Sequence, residues 1–416
     1  MEKVVLHSDA NCFYASVEML YHPEYVGKPL AVGGDPEARH GIVLTANYIA
    51  KRSGVKTGMA LWQAKQVCPD LIFVPPRMDL YLKFSSMLRE IYSEYTNQVE
   101  PYGCDEAWLD VTDSSSLKGD GRKIAEEINR RVKKELGITV SIGISWNKIF
   151  AKLGSDYKKP DGITEFNRTN YRELIWKLPV SDLLYVGRST NRTLQKYGIR
   201  TIGELARTDP SFLERQLGKM GLVIFSFANG WDDSPVAAES YHAPIKSIGN
   251  STTTPRDLEC DQDVQIILMA LAESVAARLR KHGFKCNVVS ISIRDNDLYH
   301  FSRQKKIQEP TDITDEIMRA AYQLFKENYH WSRPIRSLGI RADDLVMGTV
   351  PVQLDLFMNE QRREKQEKLD RAVDEIRRRF GYHSVQRAFM YQDKVLSSLD
   401  AQKSHTVHPV GYFNGR

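Results

Sequence analysis

The sequence lacks the features of several protein classes. Its five cysteines are scattered, without a C-x-x-C pair or a histidine at zinc-ligand spacing, which argues against a disulfide framework and a structural zinc site. No apolar stretch approaches the roughly 18 to 20 residues that cross a bilayer, and the start MEKVVLHSD has no signal-peptide core. We therefore expect a cytoplasmic protein without a membrane partner.

Internal repeats and low-complexity tracts are also missing from the 416 residues. The composition is that of an ordinary globular protein, with 42% hydrophobic and 27% charged residues. Because the chain is too long for one compact core, we expect about two to four domains. The net charge of +5 permits a nucleic-acid partner without requiring one.

Strand and helix patterns alternate in the first third of the chain. A short apolar run ends at Asp9 and leads into a helix, residues 79–95 predict a long amphipathic helix, and residues 99–111 predict a hairpin. A further helix and the alternating strand Thr139–Ser145 follow. The order strand, helix, hairpin, helix, strand predicts a split ferredoxin-like domain, with residues 26–78 inserted as a small lobe.

Three acidic residues are expected to converge in this domain. Asp9 stands at the end of the first strand and Asp105 and Glu106 stand in the hairpin, and these strands are central neighbours in a split βαβ fold. Clustered carboxylates repel unless cations neutralise them, and oxygen ligands favour magnesium or manganese over zinc. Two such ions roughly 3.5 to 4 Å apart would support in-line phosphoryl transfer. The spacing alone also fits acids that merely cap turns or lie on the surface.

Groups that could bind a triphosphate surround these acids in the sequence. The helix that opens with ANCFY offers free N–H groups to an anion. Tyr48, Lys51, Arg52 and the Lys158–Lys159 pair could supply a positive clamp, although each alone is typical of a solvated surface.

Five strings carry a resemblance to a known family, and they follow one another in unbroken order between residues 4 and 346. They are HSDANCFYASVE, TANYIAKRSGVKTGM, GCDEAWLD, GISWNKIFAKLGSDYKKPDG and KSIGNSTT. The sequence resembles the Y-family DNA polymerases, specifically the bacterial DNA polymerase IV (DinB) branch. The resemblance implies a monomeric, nucleoid-associated, low-fidelity translesion DNA polymerase without proofreading, which acts on primer-template DNA and a dNTP.

The same resemblance implies a multidomain α+β architecture. Its parts are a ferredoxin-like palm (1–25 and 79–167), inserted fingers (26–78), a helical thumb with a helix-hairpin-helix (168–232), a linker (233–244), an α+β little finger (245–346) and a flexible polar tail (347–416).

Roles for single residues follow from the resemblance as well. Asp9, Asp105, Glu106 and the Ala10 backbone carbonyl are expected to hold two Mg²⁺ or Mn²⁺ ions, with Glu106 as the main catalytic acid. Tyr14 is expected to exclude a ribose 2′-hydroxyl. Nucleotide contacts are expected from Phe13, Tyr14, Tyr48, Lys51, Arg52 and Lys159, and contacts to the nascent pair from Val32, Ile42 and Leu44. Lys51 stands where the family commonly has Arg, so the bidentate phosphate contact falls to either Lys51 or Arg52.

Two basic stretches are expected to grip DNA. VGRSTNRTLQKYGIRTIGEL resembles a helix-hairpin-helix, although Gly187 is followed by Arg188 and Ser189 where the family has a G-x-G turn. The basic residues between Arg278 and Lys306 look like a phosphate-tracking surface. The expected DNA contacts are Arg188, Arg192, Lys246, Arg294 and Arg303.

The polar tail contains an apolar island, VQLDLF, which is typical of a docking peptide. It resembles the motif that binds the bacterial sliding clamp, with anchors at Gln353, Leu354, Leu356 and Phe357. After it, Leu369, Val373, Ile376 and Phe380 predict a short amphipathic helix.

Two other functions deserve comparison. GGDPE (Gly33 to Glu37) is similar to the GGDEF signature of diguanylate cyclases, but it lies in the inserted lobe rather than in a central hairpin and fits a turn better. A non-catalytic DNA scaffold bound to a clamp is the alternative from another class. The acid triad argues against it, because unused buried negative charge is costly.

Overall fold

The computed structural model describes residues 2–34, 41–114, 118–241, 244–348 and 360–401. These residues form two compact units, the first holding residues 2–34 and 42–241 and the second residues 244–348 and 360–401. In the described part of the chain, no helix has the length and apolar character needed to cross a membrane.

The first unit contains eight of the strands in the described residues. In chain order they are β1 (Val5–Ala10), β2 (Leu30–Gly33), β3 (Val43–Ala46), β4 (Ile72–Val74), β5 (Val99–Tyr102), β6 (Glu106–Asp110), β7 (Val140–Ser145) and β8 (Ile163–Glu165). Its helices are α1 (Phe13–Tyr21), α2 (Tyr48–Arg52), α3 (Leu61–Val67), α4 (Met78–Ser93), α5 (Gly121–Arg131), α6 (Lys148–Tyr157), α7 (Tyr171–Leu174), α8 (Arg188–Lys196), α9 (Ile202–Arg207), α10 (Pro210–Leu217) and α11 (Lys219–Ala228).

A five-stranded sheet in the order β5-β6-β1-β7-β8 forms the centre of the first unit. Strand β1 runs antiparallel to both β6 and β7. It is buried on both faces, because Leu6 packs with Leu88 and Ile124 on one side while Val5 packs with Trp108 on the other. This arrangement confirms the predicted split ferredoxin-like fold.

Two smaller pieces accompany this sheet. Between α1 and α4, a three-stranded sheet in the order β3-β2-β4 has its own small core. After β8, the helices α7 to α11 pack around Leu194, Leu205 and Ile224. Helix α9 begins with a capping box, in which the Thr201 hydroxyl accepts from the Glu204 N–H and Glu204 accepts from the Thr201 N–H. The chain therefore has the inserted lobe and the helical module that the sequence predicts.

An extended segment after α11 lies along the central sheet instead of hanging free. The Ala237 N–H donates to Glu100 Oε2 at 2.8 Å, and the Glu239 N–H donates to the Asn97 carbonyl at 3.0 Å. Lys3 Nζ also donates to the Ser234 carbonyl at 3.0 Å. The residues that composition identifies as a linker are thus hydrogen-bonded to the strand β5 region.

The second unit is a four-stranded antiparallel sheet covered by two helices on one face. Its strands are β9 (Ile248–Leu258), β10 (Phe284–Asp295), β11 (His300–Thr311) and β12 (Ile335–Met347), and its main helices are α12 (Asp261–His282) and α13 (Thr314–Asn328). The sheet order is β11-β10-β12-β9. Ile291 and Ile340 of the sheet pack against Leu271 and Leu324 of the helices, as expected for an α+β domain.

Residues 360–401, called here the C-terminal module, pack on the second unit where the sequence predicted a flexible tail. The module consists of α14 (Glu360–Phe380), short turns and α15 (Lys394–Ser397). Met390 and Leu396 are fully buried. Composition misled the prediction because charged residues were assumed to be solvated, whereas here Arg280 pairs with Asp374 and Arg377 pairs with Glu273.

Candidate active site

The three acids chosen from the sequence meet at one end of β1 and β6. The antiparallel register places Asp9 directly opposite Glu106. The Ala10 N–H donates to the Asp105 carbonyl at 3.0 Å, which fixes the turn before β6 against the end of β1. We refer to Asp9, Asp105 and Glu106 as the acid centre.

Two lysines neutralise part of the acid centre. Lys159 Nζ lies 2.6 Å from Asp9 Oδ2 and 2.7 Å from Asp156 Oδ1. Lys152 Nζ contacts Glu106 Oε2. Lys159 was predicted from the sequence as a nucleotide contact, whereas Lys152 was missed. Its position on the same face of α6 as Asp156, four residues later, was the available signal.

The remaining negative charge is visible in the pKa values of the acids. Burial and the neighbouring Glu106 raise the pKa of Asp9 to about 6. Burial, Asp9 and Glu106 together raise the pKa of Asp105 to about 7. For Glu106 burial also acts upward, but His7 and Lys152 outweigh it and lower the pKa to about 2. The acid centre is therefore short of positive charge even with both lysines in place.

His7 lies beneath the acid centre and was not selected from the sequence. Its Nε2 is 3.2 Å from Glu106 Oε2, and its Nδ1 is 2.8 Å from Ser155 Oγ. Burial lowers the pKa of His7 to about 4, so the ring is neutral at pH 7. The signal in the sequence was strand alternation, because His7 and Asp9 are two residues apart and point to the same face of β1.

Tyr14, the residue predicted to discriminate against ribose, is held in place by a series of side-chain contacts. The Tyr14 ring stacks on Tyr81 with centroids 4.3 Å apart and an angle of 13°. The Tyr81 hydroxyl donates to Glu18 Oε1 at 2.6 Å, and Arg77 Nε donates to the same oxygen at 3.0 Å. Phe13 is buried beside Tyr14. In the sequence, the spacing of apolar residues places Tyr81 on the apolar side of the helix predicted over residues 79–95, without indicating a role for it beside Tyr14.

The predicted triphosphate contacts come together beside the acid centre. The Tyr48 hydroxyl donates to Asn11 Oδ1 at 3.1 Å, and Lys51 Nζ lies 5.0 Å from the Tyr48 ring centroid. Burial raises the pKa of Tyr48, and the positive charge of Lys159 opposes that effect. Lys51 and Arg52 are both exposed at the end of α2. Asn11, which orients Tyr48, was not identified from the sequence.

The three residues predicted to contact the nascent pair differ in exposure. Val32 is fully buried in the core, Leu44 is partly buried, and Ile42 is 47% exposed. The structure therefore leaves Ile42 and Leu44 accessible to a ligand, whereas Val32 belongs to the buried core.

The predicted DNA contacts lie in two places. Arg188 and Arg192 are exposed on α8 of the first unit, one helical turn apart. Lys246, Arg294 and Arg303 are exposed in the second unit. Arg188 is the first residue of α8. Gly187, which precedes it, has a φ of −75° that any residue can adopt.

The basic stretch from Arg278 to Lys306 does not form one surface. Arg280 is buried in ion pairs with Asp370 and Asp374, and Arg278 donates to the Gly249 carbonyl. Arg303 pairs with Ile291 on β10 and so points toward the helix-covered face.

The open face of the sheet holds a different basic set. Arg294 points to this face together with Lys306 and Arg341, which lie opposite Val288 and Ser290. Arg341 was not selected from the sequence, since single-strand alternation does not reveal which strands are neighbours.

The clamp-binding anchors Gln353, Leu354, Leu356 and Phe357 lie outside the described residues, as does most of the GGDPE string. In the described part of the chain, no group of three or more acids, histidines or cysteines stands ready as a metal site. Lysines occupy the positions against Asp9 and Glu106 instead. The donor set nonetheless fits hard divalent cations, because it offers carboxylate oxygens that raise one another's pKa.

Comparisons with known proteins show which proteins this chain resembles. The family model described as impB/mucB/samB matches residues 8–156, and the model of that family's C-terminal domain matches residues 245–356. The chain is 51% identical to a DNA polymerase IV of Acetivibrio thermocellus, over 96% of this chain and 100% of the relative. It is 39% identical to a DNA polymerase IV 1 of Bacillus subtilis, over 91% of each chain.

A solved structure is similar as well. A Y-family DNA polymerase chimera of Dbh and Dpo4 superimposes with a TM-score of 0.72 at 26% sequence identity, covering 83% of this chain and 99% of the chimera.

Proposed function

Because the chain belongs to the impB/mucB/samB family of Y-family DNA polymerases and is a DNA-directed DNA polymerase, we propose that the acid centre catalyses its nucleotidyl transfer. The observation that carries this proposal is the register of β1 and β6, which sets Asp9 opposite Glu106 with Asp105 beside them. Primer-template DNA and a dNTP are the substrates of this activity.

Two Mg²⁺ ions, or Mn²⁺ ions, are the proposed cofactors of the acid centre. Asp9, Asp105, Glu106 and the Ala10 carbonyl would hold them. When bound, such ions activate the primer 3′-hydroxyl and stabilise the leaving pyrophosphate. The raised pKa values of Asp9 and Asp105 support this assignment, because they report a need for positive charge beyond Lys152 and Lys159.

The cations of the first unit would bind the triphosphate. Lys159 reaches the acid centre from the end of α6, so it can exchange its ion pair with Asp9 for a phosphate oxygen. Tyr48 would donate to the same triphosphate, held in place by Asn11. Of the two neighbouring cations, Lys51 lies against the Tyr48 ring, which favours Lys51 for the phosphate contact.

Tyr14 would select deoxyribose. A ring stacked on Tyr81 cannot turn aside without losing that contact, so a 2′-hydroxyl meets a fixed obstacle. Replacing Tyr14 by Ala should increase insertion of ribonucleotides relative to deoxynucleotides by roughly 100-fold. An unchanged ratio would remove this role from Tyr14.

We also propose that synthesis is of low fidelity, bypasses lesions and lacks proofreading. Residues 1–25 and 79–167 would act as the palm, 26–78 as the fingers, 168–232 as the thumb and 245–346 as the little finger. The sequence motif from Gln353 to Phe357 would bind the sliding clamp and hold a monomeric enzyme at the nucleoid, since tethering gives an effective concentration of order millimolar.

Single-nucleotide primer extension tests the catalytic assignment. Glu106→Ala should abolish extension, whereas Glu126→Ala, an exposed acid on α5 paired with Arg122, should leave it unchanged. Titration with Mn²⁺ followed by electron paramagnetic resonance should show weaker ion binding for Glu106→Ala. If both variants extend primers equally, the acid centre is not the catalytic site.

Clamp recruitment needs its own test. Replacing Leu356 and Phe357 by Ala should remove stimulation by the clamp while extension without clamp stays the same. Met358→Ala is the matched control. Stimulation that survives the double substitution would contradict the motif assignment.

A further inference from the structure

Helix α14 binds the second unit through its charged residues. Arg363 donates to Glu316 at 2.9 Å, Asp370 accepts from Arg280 at 3.2 Å, and Arg377 donates to Glu273 at 3.0 Å. These three residues are buried. Because they are seven residues apart, they form one line along the helix. The inward face of α14 is therefore polar, the opposite of an ordinary surface helix.

The apolar residues of α14 form a second line. Leu369, Val373, Ile376 and Phe380 follow one another at steps of four, three and four residues. Leu369 and Ile376 directly precede the buried Asp370 and Arg377, so this line lies about 100° around the helix from the buried one. Leu369 is 56% exposed, Ile376 38% and Phe380 74%. We call these four residues the apolar stripe.

Exposed positive charge borders the apolar stripe. Four exposed basic residues of α14 lie within about 100° of the apolar stripe around the helix axis: Arg362, Lys365, Lys368 and Arg379. The acids that pair with them are Glu364, which lies 3.7 Å from Lys368, and Glu375, which lies 3.0 Å from Arg379, so the border keeps a positive balance. A second copy of α14 would bring like charges together, and residues 402–416 contain no acid. Charge thus disfavours both as partners of the apolar stripe.

We propose that the apolar stripe docks an acidic amphipathic helix of a partner protein. Steps of four and three residues make the seam by which one helix packs along another, and helix-on-helix recognition of this kind uses such spaced apolar anchors. The basic border selects a partner helix flanked by Asp and Glu. Duplex DNA has phosphates for the basic border but no apolar seam for Leu369, Ile376 and Phe380. The apolar stripe shares no residue with the acid centre or with the Gln353–Phe357 motif.

Fluorescence anisotropy with the full chain tests the proposal. The probe is a labelled helical peptide of about three heptads, with Leu at the seam and Glu at the flanking positions. The matched probe carries Lys in place of Glu. The test variant is Ile376→Ser with Phe380→Ser. The control variant is Tyr391→Ser with Val395→Ser, two exposed apolar residues elsewhere in the C-terminal module. An unchanged midpoint of urea unfolding in each variant shows that the second unit is folded.

The acidic peptide should bind the wild-type chain and bind the test variant at least about tenfold more weakly, because burying one such side chain contributes more than a factor of ten. Binding should weaken several-fold between about 50 and 300 mM salt. The Lys peptide should not bind. Binding should be unchanged in the control variant and in Phe357→Ala, which separates this site from clamp recruitment.

Several results would overturn the proposal. Equal binding of both peptides would mean that the apolar stripe does not read charge, and absence of binding would mean that it is not a docking site. Sedimentation equilibrium that shows a dimer lost in the test variant would assign the apolar stripe to a second copy. Flotation with phosphatidylglycerol vesicles that depends on Ile376 and Phe380 would assign it to a lipid surface.

Discussion

Two buried clusters of charged side chains in this chain have opposite balances. In the acid centre, three carboxylates share the charges of Lys152 and Lys159. Where the C-terminal module packs on α12, Glu273 is bound by Arg377 at 3.0 Å and by the Tyr382 hydroxyl at 2.8 Å. The acid centre has fewer cations than acids, whereas Glu273 has a cation to match its charge.

This difference in charge balance distinguishes a cluster that binds a ligand from one that stabilises the fold. Burying charge is favourable only when partners replace the lost water, and a matched cluster meets that condition by itself. The acid centre does not, as the raised pKa of Asp105 indicates, so the cations proposed for it would supply the missing positive charge. Removing an acid should therefore have opposite consequences in the two places.

The largest expected effect is on catalysis. Glu106→Ala should reduce kcat for nucleotide insertion about 1000-fold, as loss of a preorganised electrostatic group at a reacting centre does. The midpoint of thermal unfolding should change little, because the relief of repulsion on Asp9 and Asp105 offsets the loss of the contact between Glu106 and Lys152. A large fall in that midpoint would show that the acid centre also supports the fold.

Glu273→Gln should have the converse result. It leaves Arg377 buried without an opposite charge, which should destabilise the second unit by about 3 kcal/mol in urea unfolding. Glu375→Gln removes a half-exposed acid of α14 that pairs with Arg378, and it should leave the free energy of unfolding nearly unchanged. If Glu273→Gln lowers the rate of nucleotide insertion while the free energy of unfolding stays unchanged, the proposed contrast between the two clusters is wrong.

Asp105→Asn should stabilise the chain in the absence of divalent ions. The folded chain holds the Asp105 proton up to about pH 7, whereas the unfolded chain releases it near pH 4, roughly its reference pKa. The folded state therefore binds more protons between these values, and its stability falls as pH rises through them. In EDTA at pH 8, Asp105→Asn should raise the free energy of unfolding by about 1 kcal/mol, measured by urea unfolding, and at pH 4 it should leave that free energy unchanged. A gain that persists with Mg²⁺ present would contradict the idea that ions complete the cluster.

The smallest expected effect concerns the hydrogen bond between Tyr81 and Glu18 in the first unit. Tyr81→Phe removes the hydroxyl that donates to Glu18 but keeps the ring under Tyr14. We expect about a threefold loss of discrimination against ribonucleotides, because the remaining stack still holds Tyr14. Steady-state insertion of matched dNTP and rNTP measures it, with Tyr92→Phe as a hydroxyl-deletion control on the same helix. An effect as large as that of Tyr14→Ala would mean that the hydroxyl, not the stack, positions the gate.

Much of the acid centre could be predicted from the sequence because it depends on local pattern. Strand alternation, the hairpin before Glu106 and the apolar spacing of α4 each act over a few residues, and the topology then requires β1 and β6 to be neighbours. The side chains that complete the centre could not be found in this way. Lys152 and Ser155 reach Glu106 and His7 across more than 40 residues of sequence.

The second unit shows the limit of sequence patterns more clearly. Alternation in NVVSISIR indicates β10 but reveals neither β11 nor the register of the two strands, and the register alone puts Arg294 and Arg303 on different faces. Composition indicates a solvated tail after residue 347, because the charge of a residue does not reveal whether the folded chain places an opposite charge next to it. The sequence by itself determined the acids, the strand order of the central fold and the apolar stripe of α14. Only the tertiary structure decided which charges are paired, since pairing depends on distances between residues that the chain separates.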